Sequence, residues 1–242
     1  MTLKNDAFMR TRLLLGEEKF KRLQNASVTV VGLGAVGGFA AEALMRAGVG
    51  TLTLADFDTV SVSNLNRQIY ALHSTIGQSK ADLAQQRARE INPLCKTRVF
   101  KTPVQSDCFD ELFSPRPDFV IDAIDSLSAK TNMIAYLLEH EIPFIASMGA
   151  AMRTDASRIK IGTPDKVTHC PLTAAVRQRL RRRGVTLDFP CVYSDEPRDN
   201  LPAPVYENET DMRTVMGSLP SITGIFGLTA ANFVLTKLVQ SD

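Results

Sequence analysis

Residues 27–37 read SVTVVGLGAVG: a β-branched run, Ser27–Val31, flows into Gly32-x-Gly34-x-x-Gly37 and then into a small-residue helix that Gly48 closes. Glycines at this spacing serve a tight turn, a close approach of backbone to phosphate, and a helix packed hard on a sheet. A second strand, TLTLAD, ends at Asp56. The order strand, glycine turn, helix, strand predicts a parallel βαβ unit. Asp56 falls 19 residues beyond Gly37, placed to accept hydrogen bonds from ribose hydroxyls. On these residues alone a nicotinamide-dependent dehydrogenase fits as well, and a glycine turn needed only for packing gives the same pattern.

Beyond that unit, helical spacing runs from Lys80 to Ile91 and stops before Asn92-Pro93. TRVFKT (97–102), FVIDAID (119–125) and PFIASMGA (143–150) read as strands, with a helix from Ala129 to Glu139 between the last two. Strands and helices thus alternate for 150 residues, the pattern of an α/β sheet. The alternation then breaks into a strand at RIKIG (158–162), a basic helix, and a Pro- and acid-containing stretch from Phe189 to Thr210 that reads as irregular. The N-terminal segment MTLKNDAFMRTRLLLGEEKF reads as one amphipathic helix without a secretory signal. The apolar run Leu219–Val239 carries Gly224, Gly227, Asn232 and Lys237, and reads as a buried packing helix rather than a membrane span. With 44% apolar residues, a 242-residue chain has enough to bury the core of one domain, 1–242.

A net charge of +2 provides no global field for a polyanion, so nucleic-acid contact must come from the local cluster at 177–183. Cys95, Cys108, Cys170 and Cys191 form no CxxC pair, which predicts reduced cytosolic thiols rather than a zinc clip or a disulfide framework.

The segment after Asp56, DFDTVSVSNLNRQIYALHSTIGQSK, places Asn64, Arg67, Gln68 and Lys80 where a dehydrogenase would begin its next alternating unit. A dinucleotide offers only a pyrophosphate, which a helix N-terminus already holds. Cations aimed at the same crevice imply the charge of a nucleoside triphosphate. Asp125 closes FVIDAID at the end where open α/β sheets place ligand groups, suited to a magnesium ion bridging phosphate oxygens, and Asp122 is expected on the same face. Singly, Arg67 and Lys80 could be solvated charges, and Asp125 a helix N-cap.

Taken together, GxGxxG, LxDxDxVxxSNLNRQ, GQSK and DAID resemble the ubiquitin-activating, molybdopterin- and thiamine-pathway adenylating enzymes over roughly residues 10–150. The resemblance implies a Rossmann-like, doubly wound, mainly parallel sheet, a homodimer, and attack of a carboxylate on the α-phosphate of ATP. It further implies that Asp56 binds ribose, that Asn64, Arg67 and Lys80 hold the triphosphate, and that Asp125 holds Mg2+. Gly32, Gly34, Gly37, Asp58 and Gln68 complete the implied nucleotide site, and Arg67, Lys80 and Asp125 its catalytic set. An N-terminal arginine in this family often reaches a nucleotide across the dimer; Arg12, rather than Arg10, takes that place.

Within the superfamily, DAIDSLSAK, IPFIASMGAAMRTDASRIKIG, CPLTAAVRQRLRRRG and CVYSDEP are similar to the tRNA threonylcarbamoyladenosine dehydratase branch, extending the resemblance over nearly the whole chain. That branch implies ATP-driven cyclisation of threonylcarbamoyladenosine at tRNA position 37, with 151–242 as a part for substrate and dimer packing. Arg177, Arg179, Arg181, Arg182 and Arg183, with Lys160 and Lys166, then form a phosphate-tracking patch for tRNA. Cys170 stands where members often carry Asp. Cys191 has no histidine near it in sequence and reads as a buried thiol. Adenylation of the C-terminal carboxylate of a ubiquitin-like or sulfur-carrier protein remains an alternative, as does a nucleotide-binding module without chemistry.

Overall fold

A computed structural model of the chain describes residues 6–197, 205–206 and 214–240. Gly16 at φ +81° divides the N-terminal segment into two helices, α1 (Met9–Leu15) and α2 (Glu17–Asn25), instead of the single one its charge pattern predicts. A side chain rarely adopts that backbone conformation, so the break is local and steric. Helix α2 buries Phe20 and Leu23 and delivers the chain to β1 (Ser27–Val31).

From there α3 (Gly37–Ala47), β2 (Thr51–Ala55), α4 (Lys80–Ile91) and β3 (Lys96–Phe100) follow. The short α5 (Phe109–Leu112) leads to β4 (Phe119–Asp122), α6 (Leu127–Glu139) and β5 (Phe144–Ser147). The remaining elements are β6 (Ile159–Gly162), α7 (Pro171–Arg182), β7 (Cys191–Ser194), a two-stranded ribbon of β8 (Val205–Tyr206) and β9 (Thr214–Val215), and α8 (Pro220–Gln240).

Seven strands form one sheet in the order β3-β2-β1-β4-β5-β7-β6, parallel throughout except for β6 against β7. This is the doubly wound α/β sheet expected. Strand β1 lies between β2 and β4, so the strand order reverses there, and a crevice opens beyond the carboxyl ends of β1 and β4.

Two strand expectations need correction. Strand β4 ends at Asp122 rather than Asp125, so Asp122 and Asp125 do not share a strand face. Within the stretch expected to be irregular, Cys191–Ser194 form a fully buried interior strand between β5 and β6. Four residues between Pro190 and Asp195 are too few to display a period. Val205–Tyr206 of the same stretch also form a strand, and 198–204 and 207–210 lie outside the described residues.

Helix α8 is long and apolar enough to cross a membrane, but half of it is buried, packed on α2, α3 and the sheet. Its glycines explain the packing. A Cβ on Gly227 would lie 2.2 Å from the Val36 carbonyl oxygen and 3.0 Å from the Phe39 Cβ, and Gly224 rests on the Phe39 ring. Helices α8 and α3 therefore meet backbone to side chain at the start of α3. Alanine normally improves on glycine in a helix by about 1 kcal/mol. At this contact the sign is expected to invert: Gly227→Ala lowers stability by about 1–3 kcal/mol, a fall of several degrees in Tm by calorimetry.

Candidate functional site

The crevice is built from the turns that follow β1, β2 and β4. Gly32 has φ +88°, and a Cβ there would lie 2.7 Å from the carbonyl oxygen of Ala123, just past β4. A Cβ on Gly37 would lie 1.7 Å from the Gly32 carbonyl oxygen. The first and third glycines are thus demanded by the protein's own backbone. Gly34 is not: its Cβ would meet only the Gln68 amide nitrogen, at 3.6 Å, so its freedom serves whatever approaches from the crevice. Helix α3 begins there with no side-chain cap; the Gly38 N–H donates to the Gly34 carbonyl, and the Gly37 and Phe39 N–H groups are left to an anion.

Asp56 holds this turn in place. Its Oδ2 accepts from the Leu33 N–H at 2.6 Å and its Oδ1 from the Asp58 N–H at 2.8 Å. Burial pushes its carboxyl up from the usual range, opposed by those two N–H donors and the nearby Lys80 ammonium.

Lys80, 22 residues downstream of Asp58, reaches the crevice because the chain is zipped back on itself. Val60 donates to the Gln78 carbonyl, Gly77 to that of Val60 and Lys80 to that of Asp58, and Thr59 bridges Ser79. Lys80 is buried at the first position of α4 and pairs through Nζ with the Asp58 carboxylate at 2.9 Å. Buried Asn64 accepts the Ser61 N–H on its side-chain oxygen and, through its carbonyl, the amides of Arg67 and Gln68. Arg67 folds onto its own turn, one Nη donating to the Ser63 carbonyl and the Asn66 side chain.

Asp125 is exposed, and its carboxylate accepts no hydrogen bond from a described residue. It is not an N-cap; Ser126 takes that position. Asp122 turns inward instead and is fully buried against Lys130, Oδ2 to Nζ 2.6 Å.

The site therefore gathers Gly32, Gly34, Gly37, Asp56, Asp58, Asn64, Arg67, Gln68, Lys80 and Asp125. It does not gather Arg12, whose guanidinium lies 4.5 Å above Phe20 and pairs with Asp6 and Glu17. Phe20 in turn packs on Gly48, at the far end of α3, about 16 Å from the glycine turn at 1.5 Å per residue. Within one chain Arg12 is remote from the crevice.

The arginines of α7 divide into two groups. Arg177 donates to the carbonyls of Pro164, Asp165 and Val167 and holds that turn, and Arg183 binds the Asn132 side chain. Arg179, Arg181 and Arg182 make no hydrogen bond or ion pair with a described residue, and the last two are exposed at the end of α7. Lys160 on the edge strand β6 pairs with Asp195, just past β7.

The sequence reading assigned no role to Lys130 or to Arg153, which is buried and donates to the carbonyls of Glu196 and His169, tying together three loops at the carboxyl edge of the sheet. Each carried a signal. The helical period puts Lys130 on the same stripe as Met133, Ile134 and Leu137, and Arg153 stands out in a run of small residues after a strand.

All four cysteines are buried, and burial pushes the Cys191 thiol up to about 12. None is placed as a nucleophile. An aromatic disulfide reagent at pH 8 should accordingly find no fast-reacting thiol in the native chain and all four after unfolding; one fast thiol would contradict this placement.

Comparison with known proteins agrees with the geometry. The model of the ThiF family matches residues 8–242. The tRNA threonylcarbamoyladenosine dehydratase of Bacillus subtilis is 37% identical over 239 residues, 97% of this chain and 93% of that protein. The solved structure of the Escherichia coli tRNA N6-threonylcarbamoyladenosine dehydratase in complex with AMP superposes with a TM-score of 0.87 at 35% identity, covering 96% of this chain and 93% of that one. Molybdopterin-synthase adenylyltransferase of Salmonella typhimurium is 38% identical, but over only 55% of this chain and 52% of its own length. A glycine turn locked to the β4 turn, a zipped lysine and full-length similarity together place the chain in the ThiF family.

Proposed function

We propose that this chain is an ATP-dependent enzyme that cyclises N6-threonylcarbamoyladenosine at position 37 of tRNA by dehydration, through an acyl-adenylate, releasing AMP and pyrophosphate. The observation that carries this reading is the extent of the likeness. Dehydratases match along more than nine-tenths of both chains, including the part beyond residue 150, whereas the carrier-protein adenylating relative matches little more than half. That difference favours tRNA over a carrier protein as substrate.

The chemistry follows from the leaving group. Hydroxide leaves a carboxylate poorly and AMP leaves it well, so the threonine carboxylate attacks the α-phosphorus and pyrophosphate departs. The tethered ureido nitrogen then closes the ring on the activated carbonyl and AMP leaves. In this chain the first-turn amides of α3 receive phosphate oxygens, Asp56 accepts the ribose hydroxyls, and Lys80, Arg67, Asn64 and Gln68 surround the triphosphate. Lys80 is already oriented by Asp58, so its charge is in position before the substrate arrives.

Magnesium fits the crevice as an ion carried with the nucleotide. Asp125 offers one uncommitted carboxylate, and no cluster of three metal-binding side chains occurs among the described residues. Mg2+ is commonly held by one or two carboxylates together with waters and substrate phosphates. Bound there, it would neutralise phosphate charge.

Arg179, Arg181 and Arg182 provide a phosphate-tracking surface for the tRNA backbone, while Arg177 and Arg183 support the helix that presents them. Arg12 acts in the site of a second copy, since its own lies an α3 length away; exposed Leu13 and Leu14 beside it support a homodimer. The cytoplasm, where the tRNA is found, is the proposed location. A sulfur-acceptor or carrier protein is the proposed additional partner.

AMP release by the purified protein with ATP and magnesium should require tRNA bearing threonylcarbamoyladenosine. It should fall about 10²–10³-fold in Lys80→Ala and Asp125→Ala. Release indifferent to tRNA but dependent on a carrier protein would transfer the assignment to carrier adenylation. Replacing Arg181 and Arg182 by Glu should raise KM for tRNA and flatten its salt dependence, leaving KM for ATP unchanged.

A further inference from the structure

The Asp122–Lys130 pair lies directly behind the crevice and takes no part in the chemistry above. Both side chains are fully buried. Asp122 Oδ2 and Lys130 Nζ form an ion pair at 2.6 Å, and among the described residues neither atom has a hydrogen-bond partner. Lysine is almost never buried completely, and a buried ion pair contributes little more to stability than an apolar pair of the same volume. Its location suggests what it does instead.

Asp122 is the last residue of β4, registered on Val31 of β1 and Ala146 of β5, and Lys130 sits in the first turn of α6, its amide on the Ser126 carbonyl. The pair therefore spans the exit of a central strand and the entry of a helix. Between them runs the turn 123–126. Asp122 Oδ1 accepts the Ile124 N–H at 3.1 Å, while Oδ2 is held by Lys130. Ala123 donates to the Val31 carbonyl at 2.8 Å and presents its own carbonyl oxygen where a Cβ on Gly32 would stand. Asp125, with no donor among the described residues, projects from the same turn.

We propose that Lys130 is a positioning residue: through Asp122 it fixes the 123–126 turn, and so sets Asp125 for the magnesium–nucleotide and holds the turn against Gly32. This rests on the assignment of Asp125 to magnesium given above. Without the ammonium, one carboxylate would be left to hold the turn from a buried, uncompensated position, and the turn would loosen.

Lys130→Met alone leaves a buried carboxylate unpaired and destabilises the fold, so the decisive variant is Asp122→Leu/Lys130→Met, which replaces the pair by apolar side chains. ATP binding is measured by calorimetry with and without magnesium, and amide exchange of residues 123–126 is followed in the nucleotide-free protein. The expected result is a wild-type-like Tm, at least tenfold faster exchange at 124–126, and loss of about tenfold or more of the magnesium-dependent gain in affinity. Magnesium-free binding should change less, and Lys130→Arg should retain most of the gain. Asp125→Asn serves as the control. If that control loses the magnesium gain while the double variant keeps both the gain and the protection, the pair is only structural and the proposal is overturned. If the control keeps the gain, the magnesium assignment itself fails, and the proposal with it.

Discussion

Gly32 and Ala123 approach so closely that no side chain fits between the turn after β1 and the turn after β4. Everything in the crevice depends on that contact. It joins the two strands at which the sheet reverses its order, and so sets the α3 amides beside the loop that carries Asp125. Asp56 adds the third side by accepting one amide from the glycine turn and one from the segment after β2. The three turns are thus tied by one backbone contact and one buried carboxylate.

On this frame the chain mounts its charges in two ways. Lys80 is buried and locked by Asp58, and Asp122 is buried and locked by Lys130, so these groups are fixed before a ligand arrives. Asp125, half-exposed Arg67 and the exposed arginines at the end of α7 face solvent. The second half of the chain supports the first, with α8 seated on α3 through Gly227 and Arg153 gathering the loops at the carboxyl edge.

Much of this was legible in the order of residues. The glycine triad between a β-branched run and a small-residue helix announced the turn, and the cations after Asp56 announced more phosphate than a dinucleotide carries. Where the reading failed, distances across the fold were the cause. Strand β7 is four residues long and owes its existence to β5 and β6 on either side. The common face expected for Asp122 and Asp125 assumed a strand three residues longer than β4, and residues three apart on a strand face opposite ways in any case. Arg177 looks identical to Arg181 in sequence but lies over the 164–167 turn.

The order of residues settled the α/β class and the place of the glycine turn, because backbone sterics and hydrophobic period act locally. Only the tertiary structure decided which charged side chains are spoken for. A lysine zipped onto Asp58, another sealed against Asp122, and an Arg12 stranded at the far end of α3 are settled by which partners folding brings within hydrogen-bond reach, and that proximity has no trace in the chain's own order.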